Sequence, residues 1–244
     1  MSRRKGEVRI GTSGWHYGHW IGPFYPKGTR KTDLLKVYAE SFDTAEINNT
    51  FYSLPSEATV KSWAADTPAG FRFAVKASRY LTHMRKLKEP KASSEKLFQA
   101  IAPLGRKLGP VLLQLPPNWK PNPERLDEAL AAMPKGRYAV ELRDERWLID
   151  EVFQVLERHR AALCLYDYAG RRSTERVTGD FVYLRLHGPN EEAYTGSYSG
   201  QALAARAREV AGWRDDGLDV FVYFDNDEAG HAALNARDLK DKLG

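Results

Sequence analysis

Short β-branched or apolar runs recur along the 244 residues with helical patterns between most of them. That rhythm is the mark of repeated βα units, and therefore of a parallel sheet whose faces are covered by helices. Strands are expected at Val8–Thr12, Thr44–Asn48, Arg72–Lys76, Val111–Leu115, Tyr138–Leu142, Ala162–Tyr166, Val182–His187 and Val220–Phe224. Eight is the number at which such units close into a barrel, and the length suits one domain. The expected fold is α/β, a single TIM-like (β/α)8 barrel over 1–244, with residues 1–6 as a tail.

Helix signals support the alternation. Asn122 before Pro123 reads as an N-cap opening Glu124–Met133, and Ser56 and Ser94 are candidate caps. Asp150–Arg160, Gln201–Asp215 and His231–Lys240 are further helices, with Gly109, Gly136 and Gly217 where helices should stop. Ala169–Asp180 has little helical period, so the sixth helix is expected to be missing or reduced to a turn. An open doubly wound sheet is the rival, but no G-x-G-x-x-G or G-x-x-x-x-G-K-[ST] occurs. Gly11-Thr-Ser-Gly14 runs into Trp15 rather than the glycine of a nucleophile elbow.

No run of about eighteen apolar residues exists and the chain starts Met1-Ser-Arg-Arg-Lys-Gly, so a cytoplasmic protein without membrane contact is expected. The one cysteine, Cys164, lies in an apolar run and reads as a small buried hydrophobe, which excludes disulfides and cysteine-rich metal sites. A net charge of +5 permits phosphate-bearing partners without demanding them. Basic residues do cluster locally: Arg79, Arg85, Lys86, Lys88 and Lys91 are opposed only by Glu89. This segment follows the third strand, and a mobile flap over the barrel mouth is expected there.

In a barrel, alternate residues of each strand point inward, so polar groups of one parity near the carboxyl ends must meet at the mouth. The pattern repeats on strand after strand. Glu46 and Asn48 flank Ile47; Lys76 shares parity with Ala74; Gln114 stands between Leu113 and Leu115. Glu141 and Arg143 alternate with Val140 and Leu142, Arg185 and His187 with Leu184 and Leu186, and Asp225 follows Tyr223 in register. Asp167 ends the sixth strand in a less certain direction. Charged groups on apolar strands are costly unless paired or solvated. Ion pairs bracing the mouth, such as Glu141 with Arg143 or Arg185, account for individual residues, but the whole ring reads as a site.

Within that ring Lys76, Arg143 and Arg185 are candidates to bind a phosphate or carboxylate, with Gln114, Asn48 and Asn226 as polar contacts. Glu141, His187, Glu46 and Asp225 are the candidate proton-transfer residues. Tyr17 and Tyr198 are candidates to stack on a ring-bearing substrate, whereas His16, His19, His159 and His231 read as packing or surface residues. No cofactor is expected. No metal is expected either, because three cations in the same mouth repel a divalent ion and no H-E-x-x-H pair exists, although distant strands can assemble oxygen ligands.

The same residues carry a resemblance. Gly11-Thr-Ser-Gly-Trp15 with Trp20 and Phe24-Tyr-Pro26, Glu46-Ile-Asn-Asn-Thr-Phe-Tyr52, and Phe73-Ala-Val-Lys76 with Thr82-His83 are the first matching segments. Leu112-Leu-Gln-Leu-Pro-Pro117, Glu141-Leu-Arg143 with Trp147, Arg185-Leu-His-Gly188 and Tyr223-Phe-Asp-Asn226 complete them. Together they span almost the whole chain and resemble the YecE-like family, a domain of unknown function numbered seventy-two. The resemblance implies a TIM-like barrel and supplies no reaction. The family pattern has two asparagines after the eighth strand's aromatic; here Asp225 stands at the first, which adds an acid, and Asn226 keeps the second.

Three functions follow from these residues. The first is an enzyme, a hydrolase or lyase in character, acting by acid/base chemistry on a small anionic molecule. The second is a nucleic-acid-binding or phosphodiester-cleaving protein, suggested by the basic segment and by fold-level analogy to endonuclease IV-type barrels. The third is a non-catalytic binding barrel. Salt dependence separates the second from the others, and turnover separates the first from the third.

Overall fold

The computed structural model describes residues 4–244. Eight parallel strands form one sheet in the order β1-β9-β8-β6-β5-β4-β3-β2. They are β1 (Val8–Thr12), β2 (Thr44–Ile47), β3 (Arg72–Lys76), β4 (Leu108–Gln114), β5 (Tyr138–Glu141), β6 (Ala162–Tyr168), β8 (Phe181–Leu186) and β9 (Asp219–Phe224), with a two-residue return strand β7 (Arg171–Arg172) against β6. The helices are α1 (Leu34–Ser41), α2 (Glu57–Ala65), α3 (Pro90–Ile101), α4 (Pro123–Ala132), α5 (Asp150–Arg158), α6 (Gly200–Asp215) and α7 (His231–Leu243). This is a nearly closed TIM-like barrel. Between β6 and β8 the chain makes the β7 return instead of a helix, as the weak period of that segment predicts.

The barrel closes between β1 and β2, where the ladder is reduced to a bridge between Ser13 and Glu46. Gly14 N–H donates to the Glu46 carbonyl at 2.9 Å. Below this bridge the Tyr38 hydroxyl of α1 takes the place of backbone pairing. It accepts from Thr12 N–H at 2.8 Å and donates to the Thr44 carbonyl at 3.0 Å. Gly11 makes the close approach possible, because a Cβ there would lie 2.2 Å from the Thr44 carbonyl oxygen. Since the phenol satisfies two buried backbone groups, Tyr38→Phe should cost about 1–3 kcal/mol of stability. Urea denaturation measures this; an unchanged midpoint would mean the backbone groups find other partners.

Strand parity separates two apolar regions. Ala74, Leu112, Ala139, Cys164, Tyr183 and Tyr223 pack inside the barrel. Their neighbours Phe73, Val75, Val111, Val140, Leu184 and Val222 join the larger core beneath the helices. Cys164 is accordingly a buried free thiol.

Some local expectations are revised. Ser56 and Asn122 cap α2 and α4 through the Thr59 and Arg125 N–H groups. Ser94 does not cap a helix: α3 begins at Pro90, and the buried Ser94 hydroxyl donates to the Lys91 carbonyl at 3.0 Å. Gly109 lies within β4 rather than at a helix end. The basic segment from Arg79 to Lys91 is anchored, because Leu81 and Leu87 sit in the core and Leu87 N–H donates to the Leu81 carbonyl at 3.0 Å. Of the tail expected over 1–6, residues 1–3 lie outside the described residues, while Lys5 pairs with Asp215 and Gly6 N–H donates to the Arg214 carbonyl. Among the described residues, no helix is long and apolar enough to cross a membrane.

Candidate functional site

Arg185, on the inward parity of β8, is 1% exposed and is the hub of the barrel mouth. Its Nη1 donates to Glu141 Oε2 at 2.9 Å, and its Nη2 to Glu46 Oε1 at 2.9 Å and Asp225 Oδ2 at 2.8 Å. One guanidinium thus braces β2, β5 and β9 from the centre of the barrel, as a planar fork of donors can and a lysine cannot. Among the described residues its Nε has no protein partner.

Each carboxylate has further support. Glu46 accepts from the Ser13 hydroxyl and, at 2.6 Å, from the Tyr183 hydroxyl. Glu141 accepts from Gln114 Nε2 at 2.8 Å and from Arg143 Nε. Burial alone would raise the Glu141 carboxyl, but Arg143 and then Arg185 outweigh it and hold it well below the usual range. Glu141 is therefore a fully buried, permanent carboxylate.

His187 is also spoken for. Its Nδ1–H donates to the Asp167 carbonyl at 2.8 Å, which leaves Nε2 as the lone-pair acceptor for Arg185 Nη1 at 2.9 Å and Arg143 Nη2 at 3.1 Å. Burial, reinforced by Arg185, pushes its pKa well below the ordinary value. The ring is a neutral imidazole orienting two guanidinium groups.

Two cations and one acid behave differently. Arg143 is stacked 3.9 Å over the Tyr168 ring, and among the described residues its Nη1 has no protein acceptor. It opens on a cavity of about 1020 Å³ that also meets His83, Gln114, Tyr166 and Tyr194. Lys76 ends β3 with its ammonium 4.5 Å from the centre of the Phe51 ring, and no carboxylate among the described residues lies within ion-pair distance of it. Burial and then Arg185 lower its pKa. Asp225 has Oδ2 on Arg185, whereas no protein donor among the described residues reaches Oδ1. Burial raises its carboxyl to about 6, against the pull of Arg185.

Lys76 and Asp225 share a second cavity, of about 610 Å³, with Trp15, Tyr17 and Asn48. Tyr194 borders both cavities. It is held in the left-handed region, φ 71°, with its N–H on the His187 carbonyl. The turn carrying it is tight enough that a Cβ on Gly188 would lie 2.2 Å from the Thr195 carbonyl oxygen.

Residues 9–244 match the family described as Protein of unknown function DUF72. The chain belongs to the DUF72 family. UPF0759 protein YunF of Bacillus subtilis (strain 168) is 26% identical over 270 residues, covering 97% of this chain and 94% of that protein. A crystal structure of a DUF72 family protein from Thermotoga maritima MSB8 superposes with a TM-score of 0.88 at 30% identity, over 97% of this chain and 99% of that one. A second DUF72 structure, from Enterococcus faecalis V583, does so with a TM-score of 0.82 at 20% identity, over 97% and 95% of the two chains. The YecE-like resemblance and these matches are one family. Membership carries the barrel and assigns no reaction.

In this DUF72 barrel, Glu46, Asn48, Lys76, Gln114, Glu141, Arg143, Arg185, His187 and Asp225 come together at the mouth, and Tyr17 borders the smaller cavity with its hydroxyl on the Ser13 carbonyl. Three others do not join them. Tyr198 is buried beside Phe224, its hydroxyl accepting from Gly188 N–H. Asn226 Nδ2 donates to the Gly196 carbonyl and to Asn235 Oδ1, tying the β8–α6 loop to α7. Asp167 turns its carboxylate outward onto Arg206, with both oxygens at 2.9 Å. Among the described residues, no three His, Cys, Asp or Glu side chains are grouped to hold a metal ion.

Several members escaped the strand reading. Tyr183 lies two residues before Arg185 on the same parity, so extending the alternation one step deeper finds it. Ser13 follows directly on β1 and joins Glu46, Asn48 and Arg185. Tyr168 ends β6 on the parity of Cys164, two residues beyond the strand end expected at Tyr166, whereas His83 and Tyr194 arrive from the segments after β3 and β8, where strand parity gives no direction.

Proposed function

We propose that this barrel is an enzyme that binds a small phosphate- or carboxylate-bearing molecule across its mouth, with Arg143 and Lys76 as the cations that meet the anion. The observation that carries this reading is the contrast among three cations. Arg185 is sealed and has spent its Nη groups on carboxylates, while Arg143 and Lys76 keep donors facing cavities. Of the four residues expected to transfer protons, Asp225 takes that role, because it combines an open cavity, a pKa raised to about 6 and an oxygen that no donor reaches among the described residues. Glu46, Glu141 and His187 are positioning residues. Their hydrogen bonds hold the guanidinium groups in place, which favours electrostatic preorganisation over direct participation.

Calorimetric titration with inorganic phosphate and with small phosphorylated and carboxylated compounds tests the reading. Saturable binding is expected, weakened about tenfold or more by Arg143→Leu. Wild-type protein that binds none of these anions would refute it.

A second reading, nucleic-acid binding, is favoured by one feature of the rim: Tyr52, Tyr80 and Met84 are exposed beside Arg79, Lys86 and Lys88. Aromatic faces and basic groups together suit single strands. Arg85 is less available, being paired with Glu89. Affinity for an oligonucleotide that falls steeply with salt and drops in a Lys86→Ala, Lys88→Ala double variant would favour this reading.

A further inference from the structure

Lys76 and Arg143 face the mouth from different surroundings. A clamp benefits from a firmly charged group, and Arg143 meets that need: Glu141 raises its pKa against the effect of burial, and its plane is fixed over Tyr168. Lys76 has the opposite surroundings. Its amine is half-buried on the rigid end of β3, rests against the Phe51 ring and lacks any carboxylate partner within ion-pair distance among the described residues. It borders the same cavity as Asp225, whose Oδ1 has no protein donor among the described residues.

We propose that Lys76 is a nucleophile that captures an aldehyde or ketone carbonyl of the anionic substrate as an imine, with Asp225 donating the proton that releases the carbonyl oxygen as water. The inference rests on the anion-binding reading above and adds the chemical class of the reacting group. The neutral amine adds its lone pair to the carbonyl carbon, the C=O π pair moves to oxygen, and a proton passes from nitrogen to oxygen to give a carbinolamine. The Asp225 carboxyl then protonates the hydroxyl. The C–O bond breaks, water leaves, and the nitrogen lone pair forms the C=N bond of a cationic imine beside the new Asp225 carboxylate. No oxidant, metal or further reactant is consumed. Desolvation of a lysine next to another cation is a known route to an activated amine, and the lowered pKa of Lys76 agrees with it.

Reductive trapping tests this on the full chain. Protein is incubated with glyoxylate or glyceraldehyde 3-phosphate, with uncharged glyceraldehyde as control, in the presence of cyanoborohydride, and labelled lysines are mapped by mass spectrometry. The anionic aldehydes should label Lys76 about tenfold or more faster than exposed Lys61 or Lys88, and inorganic phosphate should suppress that labelling. Lys76→Arg should lose the preferred label, and Asp225→Asn should slow labelling several-fold. Label spread over surface lysines without preference for Lys76 overturns the inference. If phosphate still binds in that case, only the imine chemistry falls; if phosphate does not bind at all, the anion-binding reading falls with it.

Discussion

Replacing Arg185 by methionine should lower the unfolding free energy by about 3–5 kcal/mol, among the largest losses expected of a single substitution in this chain. The variant leaves the buried carboxylates Glu46, Glu141 and Asp225 without the guanidinium that pairs with all three. Breaking a buried pair from one side costs far more than the pair contributes, because the remaining charges keep their desolvation penalty without their partner. The loss should be larger at about pH 8 than at about pH 5, since orphaned carboxyls escape part of the penalty by taking up protons. Arg185→Lys should fall between the two proteins, keeping one positive charge but not the fork that reaches β2, β5 and β9 together. Urea denaturation at both pH values gives the result. A methionine variant as stable as the wild type would mean that the carboxylates are held by Ser13, Tyr183, Gln114 and Arg143 without the hub.

The parity argument was able to find this hub because a strand's direction alternates every residue, so a polar side chain two positions from an inward apolar one must also point inward. Ala139, Tyr183 and Tyr223 lie one layer below the charged ring, and the direction of Glu141, Arg185 and Asp225 follows from them. What parity could not supply is how far each group lies from solvent and which partner it takes. Arg185 and Arg143 look equivalent as strand-end arginines, yet one is sealed and the other opens on a cavity. His83 and Tyr194, which line that cavity, belong to segments with no strand period to read, and Tyr168 lies beyond the expected end of β6. Tyr198 departs from its expected place for a related reason: a loop aromatic has no fixed direction, and here it is buried beside Phe224. Asp167 shares the outward parity of Leu163 and Leu165 on β6, and its carboxylate meets Arg206 of α6 there.

Asp225→Asn separates a functional acid from a structural one by the sign of its effect on stability. The Asp225 carboxyl is raised from an ordinary 3.8 to about 6, so the fold prefers its neutral form. Such a group contributes most below the unfolded pKa, and that contribution is lost as pH rises through about 6. Above that point the ionised carboxylate is tolerated rather than favoured, despite its bond to Arg185. Asparagine has the same shape, keeps an oxygen for Arg185 Nη2 and never ionises. The variant should therefore be more stable than the wild type at about pH 8, by about 1–3 kcal/mol, with the difference shrinking as pH falls toward about 4. If Asp225 serves only as an ion-pair partner of Arg185, the effect reverses: the variant loses stability at high pH. Denaturation curves across this pH range decide between the two signs. A stabilising substitution that also slows carbonyl trapping at Lys76 would place Asp225 among residues kept for chemistry at the expense of the fold.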